Sequence, residues 1–415
     1  MEKQNKFVKD MTKGNPMQLL IQFSLPLLVG NIFQQLYNMV DSIIVGNFVG
    51  ANALGAIGTT NSLNFFFFSL VAGLSVGIGI IVAQYFGFGD EEKVKDAIGN
   101  SIWIITICSV IMAIIGFVTA RPILVLLDTD PVILNDAVAY LKVVSIGIVC
   151  VGFYNGVSGI LRALGDSKTP LIFLIVASVL NVILDLIFVL SFGWGVVGAG
   201  VATAFSQLIS ALACIIYAYK SNTYFKLKKK NIKLNGNIIK KSCKLGIPVA
   251  LQNSLIAFSL IVLQKVVNGY GATFTTAFTV VSRIETLVQQ PFMSLGAAVS
   301  TYTGQNIGAG LKDRVRKGFN SATLVSSIFA LAIGVVFWIF APSIASIFGK
   351  DADVIRIGAN GLRITCCFYI FLGLIYTTRN VLNGAGDAMF SLFTGIVECI
   401  GRVGFAYPMT LISFM

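Results

Sequence analysis

Apolar residues run through this chain in long blocks divided by short polar stretches, and eleven of the blocks are long enough to cross a bilayer as helices. They lie near 19 to 45, 53 to 83, 97 to 119, 133 to 160, 170 to 191, 196 to 219, 243 to 267, 274 to 304, 318 to 341, 354 to 382 and 389 to 413. A helix needs about 20 apolar residues to traverse the hydrocarbon core, and in lipid every backbone polar group must be satisfied within the chain. The pattern therefore predicts an all-α polytopic membrane protein with no separate soluble domain.

The blocks repeat. Shifted by 221 residues, AQYFGFGDEEKVKDA (83 to 97) falls on GQNIGAGLKDRVRKG (304 to 318), and LRALGD (161 to 166) on LNGAGD (382 to 387). FSLPLLVGN (23 to 31) matches LGIPVALQN (245 to 253) at an offset of 222. A repeat with an even number of spans gives two halves of the same orientation, related by an axis along the membrane normal. The expected plan is an N-terminal segment over 1–18, a six-helix lobe over 19–219, a basic linker over 220–242 and a second lobe over 243–415. The counterpart of the sixth helix would fall beyond Met415, so this second lobe holds five of six helices, and a chain cut short at its C-terminus is expected.

Charge adds an orientation. Of 30 Lys and Arg, 22 fall in the N-terminus and the even-numbered loops, counting Arg162, nine Lys between Lys220 and Lys244, and Arg379, whereas Arg121 and Lys350 alone fall in odd-numbered loops. By the positive-inside rule the N-terminus and even loops are cytoplasmic, in a multi-pass cell membrane protein. No small-residue cleavage site follows the first basic segment, so the first helix is retained. The net charge of +12 then reads as loop asymmetry rather than as affinity for nucleic acid, and the run from Tyr224 to Lys244 as a solvated linker rather than a surface for acidic lipid.

With 56% hydrophobic and 12% charged residues, a water-soluble fold is excluded. The chain has no His, so zinc motifs of the HExxH type and His-activated nucleophiles are absent, and no GxxxxGK[ST] occurs. An enzyme is not expected, no cofactor is called for, and active transport has to draw on an ion gradient. Seven Cys without a CxxC read as small core residues, and most of the 32 Phe as packing or lipid-facing residues.

Ionisable groups at membrane depth cost roughly 2.5 to 3.5 kcal/mol each and so call for a partner or a purpose. Gln34, Tyr37, Asn38 and Asp41 fall at i, i+3, i+4 and i+7 beyond the Pro26 kink, one polar stripe. Ser178, Asn181 and Asp185 share a face of the fifth helix; Tyr154, Asn155 and Ser158 lie on the fourth, and Thr203, Ser206 and Gln207 on the sixth. Two carboxylates among hydroxyl and amide oxygens suit Na⁺, and crowded in low dielectric they equally suit H⁺. The competing reading is helix glue through hydrogen bonds. In the second half, Glu398 and Arg402 at i, i+4 read as an internal ion pair. Ser282, Glu285 and Gln289 share a face of the eighth helix before Pro291, either as a cavity or gating site or with Glu285 paired to a neighbouring helix, for instance at Arg363.

The stretch MTKGNPMQLLIQFSLPLLVGNIFQQLYNMVDSIIVGNFVGANALGAIG, the AQYFGFGD and GQNIGAG loops and the RALGD and NGAGD loops resemble the multidrug and toxic compound extrusion transporters, over residues 11 to 415. The resemblance implies twelve helices in two lobes around a central cavity, and efflux of cationic or amphipathic drugs in exchange for Na⁺ or H⁺. It implies a cation or proton site at Asp41, Asn181 and Asp185, completed by Thr203 and Asn155, with Na⁺ held by Asp41, Asn181, Asp185 and Thr203 if sodium is the ion. Gln34, Tyr37, Asn38, Glu285 and Gln289 are then cavity or gating residues. The chain departs from some relatives in having only Gln252 and Asn253 where they carry an acid on helix seven, which places coupling in the first lobe. Two other classes stay open: a lipid-linked sugar flippase using Arg283, Arg363, Arg379 and Arg402, and a membrane receptor or scaffold without flux. Expected partners are a small organic cation and membrane lipid, and the expected state is a monomer.

Overall fold

The computed structural model describes residues 8–347 and 351–412, and all regular structure in them is helical. The first lobe contains α1 (Pro16–Phe48), α2 (Ala51–Phe88), α3 (Glu91–Leu126), α4 (Pro131–Ala163), α5 (Lys168–Asp185) and α6 (Gly195–Ser221). The second contains α7 (Gly236–Asn268), α8 (Ala272–Gly308), α9 (Lys312–Ser346), α10 (Ala352–Cys366), α11 (Tyr369–Ala385) and α12 (Ala388–Ile412). Among the described residues, nine helices are long and apolar enough to cross a membrane, and α10 with α11 forms a tenth, broken span bent by 51°. The remaining apolar run, the one near 274 to 304, corresponds to α8, which is 37 residues long. Its Ser282, Arg283, Glu285, Gln289 and Gln290 make it more polar than those nine spans. The tenth run, expected as one helix, breaks where the thiols of Cys366 and Cys367 both donate to the carbonyl of Arg363, at 3.2 and 3.3 Å.

Polar residues at the block boundaries start the helices. Asn15 accepts from the amides of Met17 and Gln18 with Pro16 in the first turn, Asp90 accepts from Lys93, and Asp130 accepts from Val132 ahead of Pro131. The repeat also appears in the backbone. Gly50, Gly89 and Gly165 have positive φ, and so do Gly271, Gly310 and Gly386, each 221 positions later. A left-handed residue at a helix end is cheap only for glycine, so these pairs preserve the turns.

The lobes meet at the end of the bundle where α1 begins. There α2 and α8 cross through a reciprocal contact. Gln84 Nε2 donates to the carbonyl of Gly384 at 3.0 Å, and its counterpart Gln305 Nε2 donates to the carbonyl of Ala163 at 2.9 Å. A Cβ on Gly87 would collide with the Gln305 carbonyl, and one on Gly308 with the Gln84 carbonyl, so the helices approach backbone to backbone. The N-terminal segment closes over this crossing: Met11 is fully buried, its amide donates to Gln305 Oε1 at 2.8 Å, and its carbonyl accepts from Asn306 and Arg314. Further along the bundle the interlobe bonds are Asn31 to Ser294 at 3.2 Å and Ser69 to Ser254 at 2.8 Å. The core clusters at the opposite end belong to one lobe or the other, so the lobes part there.

Between α6 and α7 the chain is largely exposed, as a solvated linker would be, but it is anchored at a few points to the polar first half of α3. Asn231 is buried and donates to Asp96 at 2.7 Å, Lys230 pairs with Glu92 at 2.6 Å, and Asn235 N donates to Asn100 Oδ1 at 2.8 Å. Lys226, Lys228, Lys229, Lys230 and Lys233 remain outward, together with Ile232 and Leu234.

Arg379 was expected in a loop and lies instead inside α11, 8% exposed, as part of a charged triad. Glu398 pairs with Arg402 at 2.6 Å, as its spacing predicts, and with Arg379 at 3.1 Å. With its amide oxygen facing the guanidinium, Gln252 accepts from Arg379 at 2.7 Å, and Arg402 donates to Ser259 at 3.2 Å. Removing the shared acid leaves two cations facing each other in low dielectric, whereas removing one cation leaves a neutral pair. Glu398→Gln is therefore expected to lower stability by roughly 3 kcal/mol and Arg379→Gln by less. Thermal unfolding in detergent that ranked them in the reverse order would contradict this account.

Candidate functional site

A cavity of about 610 Å³ opens within the first lobe, bounded by α1, α2, α4, α5 and α6. The stripe read from the first helix forms one wall: Gln34, Tyr37, Asn38 and Asp41 all line it. Asn155 and Tyr154 come from α4, and Thr203 and Gln207 from α6. The wall is amide-rich and aromatic, which suits organic molecules that need several weak polar contacts and flat apolar surface.

At one edge of this cavity the carboxyl groups of Asp41 and Asp185 face each other within interaction range. Asp185 is fully enclosed, and neither of its oxygens has a hydrogen-bond donor among the described residues. The same holds for Asp41 Oδ1 and for Asn181 Oδ1. Asn181 donates through Nδ2 to Thr203 Oγ1 at 3.4 Å, which turns its amide oxygen away from that bond. Two carboxylates, one amide oxygen and one hydroxyl thus converge with acceptors unspent. An unpaired carboxylate in a medium of low dielectric costs several kcal/mol, so this set demands a positive charge, either a proton shared by the acids or a small monovalent cation held by their oxygens. No third acid, His or Cys joins them among the described residues, which disfavours a divalent metal.

The backbone contributes a feature absent from the sequence reading. Directly after Asp185, the chain widens into a π-helical turn over Leu186–Ser191. Such turns interrupt the regular ladder and collect at functional positions. Pro26 breaks the hydrogen-bond ladder of α1 about four turns before Asp41, because it cannot donate to the preceding turn.

The remaining expected residues divide. Asn155 shares the cavity but spends its amide on Val151 of its own helix, at 2.8 Å, rather than on the acidic pair. Glu285 and Gln289 belong to the other lobe and do not line this cavity. Glu285 sits beside Thr365, and Gln289 accepts from Tyr376 at 3.4 Å. The suggested pair between Glu285 and Arg363 does not form, because Arg363 turns to the carbonyl of Trp338. Cavity residues the sequence reading missed are Asn61 and Asn64 on α2, Tyr140 on α4, and Arg162. The two asparagines, three residues apart in an apolar run, carried a usable signal. Arg162 was assigned to a loop by its position near a block boundary and is in fact in the last turn of α4.

The family model described as MatE matches residues 26–187 and 248–407, one match per lobe. The chain is 31% identical over 390 residues to the probable multidrug resistance protein YpnP of Bacillus subtilis strain 168, covering 94% of this chain and 87% of that one. A transporter of the MOP superfamily from Pyrococcus furiosus, described as having a binding pocket of reverse polarity, superposes with a TM-score of 0.91 at 26% identity, over 98% of this chain and 91% of the other. An outward-facing multidrug resistance MATE family transporter gives the same values. Two matched lobes of equal fold, joined at a glycine crossing and holding their acidic pair on one side only, place this chain in the MatE family of multidrug and toxic compound extrusion transporters.

Proposed function

We propose that the protein is a secondary antiporter of the cell membrane, exporting amphipathic organic cations by alternating access in exchange for Na⁺ or H⁺. The observation that carries this reading is the enclosed Asp185, with both oxygens lacking a donor, facing Asp41 at the edge of the drug-sized cavity. A cation or proton at this pair draws α1 toward α5 and so favours one arrangement of the cavity wall. An ion moves such an equilibrium only by binding the two states unequally. The irregular elements on the two helices, the π-helical turn directly after Asp185 and Pro26 about four turns before Asp41, are where that difference is absorbed. The lysine-rich N-terminus and even loops support a cytoplasmic position for the joined end of the lobes, which makes this an outward-facing arrangement.

The test is dye efflux from proteoliposomes under separate gradients. A sodium gradient at constant pH and a pH gradient without sodium are imposed in turn, and one of them is expected to accelerate efflux at least tenfold over the leak. If neither does, the antiport reading fails. Complementation of a flippase-deficient strain checks the lipid-linked sugar flippase reading, which the acidic pair and the amide-rich wall disfavour.

A further inference from the structure

Arg162 is a cation that the ion-coupling scheme does not use. Its guanidinium lines the end of the cavity nearest the lobe crossing, one residue before the carbonyl that Gln305 engages. Among the described residues it has neither an ion pair nor a hydrogen bond from its guanidinium. The acid on the adjoining loop, Asp166, is spent on the amides of Lys168 and Thr169 and on the Thr169 hydroxyl, at 3.1, 2.9 and 2.6 Å.

The fold does not require a charge at this position. The counterpart 221 residues later is Asn383, neutral, buried and satisfied by Ser391 Oγ at 2.6 Å. The second lobe therefore makes the same helix end without a cation. Snorkelling to an interface would explain a charge near the end of a span, but this guanidinium opens into the cavity. Arg162 and Asp41 are the two charged residues lining it, of opposite sign and far apart along it. The 18-residue α5 separates their levels by roughly 25 Å of helix axis, less the reach of the arginine side chain. Between them lie Tyr154, Phe65 and Phe68.

We infer that Arg162 is an anion-recognition point, and that the cavity takes elongated amphiphiles carrying an oxyanion, with zwitterions preferred over pure cations. A carboxylate, sulfonate or phosphate finds a planar fork of donors at Arg162, with the apolar body of the ligand along the aromatic wall. This rests on the cavity being the export route proposed above.

The probe pair is rhodamine 110 and rhodamine 123, a free carboxylate and its methyl ester on one cationic dye. Equilibrium binding is read by fluorescence polarisation on the purified chain in lipid nanodiscs, with no gradient present. The unaltered protein is expected to bind rhodamine 110 at least tenfold tighter than the ester. Arg162→Gln should erase that preference while holding rhodamine 123 affinity within twofold, and Arg162→Lys, keeping charge but losing the fork, should fall between. Asp185→Asn should leave the preference intact. The inference is overturned if the unaltered protein shows no preference, or if Arg162→Gln weakens both dyes alike. Should Arg162→Gln fail to fold, the unaltered protein and Arg162→Lys decide the outcome. Absence of the preference in the unaltered protein with its gradient-driven rhodamine 123 efflux intact removes this inference alone; a preference without any gradient-driven efflux removes the antiport reading instead.

Discussion

Asp185→Asn is expected to reduce gradient-driven efflux by roughly 100-fold, the upper range for coupling between two sites, while leaving the protein as stable as before or more so. The second half of that expectation separates two accounts of the acidic pair. If Asp41 and Asp185 were glue between α1 and α5, neutralising one would cost stability. Yet neither oxygen of Asp185 receives a donor from the described residues, so the substitution removes no bond. It removes a buried carboxylate's desolvation cost, and the new amide can donate to the unpartnered Asp41 Oδ1. Asp41→Asn should behave alike. The supporting measurement is thermal unfolding against sodium concentration and against pH. The unaltered protein should be stabilised by whichever ion it carries, because a ligand of the native state raises stability by mass action, and Asp185→Asn should not respond. Full transport activity in both variants would move the coupling site elsewhere.

Gly308→Val and Gly87→Val are expected to stop transport, and each should do so as completely as the other. At Gly308 the first side-chain atom meets the carbonyl of Gln84, and at Gly87 that of Gln305. Both obstacles are backbone, which cannot rotate aside as a long side chain can. The crossing of α2 and α8 is thereby forced open and the joined end of the lobes no longer closes. Deleting one of the reciprocal hydrogen bonds by Gln84→Ala is a far smaller perturbation, about 1 kcal/mol, and should slow transport only modestly. The measurement is thiol labelling of Ala163→Cys in a background without the seven native cysteines. Labelling should rise at least tenfold in either glycine variant, with transport lost. Normal transport in both would mean that this crossing need not close during the cycle.

How far the chain could be read by itself depends on the range of the physics involved. The length of apolar runs against the thickness of a bilayer is a local quantity, and it located the spans. The repeat was legible for the same reason: glycines with positive φ, and the capping acids Asp130 and Asp351, recur at fixed offset because each serves a turn of a few residues. The stripe from Gln34 to Asp41 followed from helical periodicity, as did the face holding Asn181 and Asp185, and the cavity bears the stripe out. Glu398 with Arg402 was legible too, being one turn apart.

What failed needed distance. Arg379 and Arg162 were taken for loop residues because helix ends are blurred in sequence, and only packing shows that one completes a triad and the other opens into a cavity. Glu285 and Gln289 looked like cavity groups, but the lobe that holds them turns them to Thr365 and Tyr376. The anchoring of the lysine-rich connection to α3 likewise comes from partners that local pattern does not reveal. The sequence by itself determined a duplicated, helical membrane protein with acids in one half, because hydrophobic length and helical period act over one span. Which acids meet, which cation is left without a partner and where the halves lock were decided by the tertiary structure, since charges and carbonyls more than a hundred residues apart find their partners only when the helices pack.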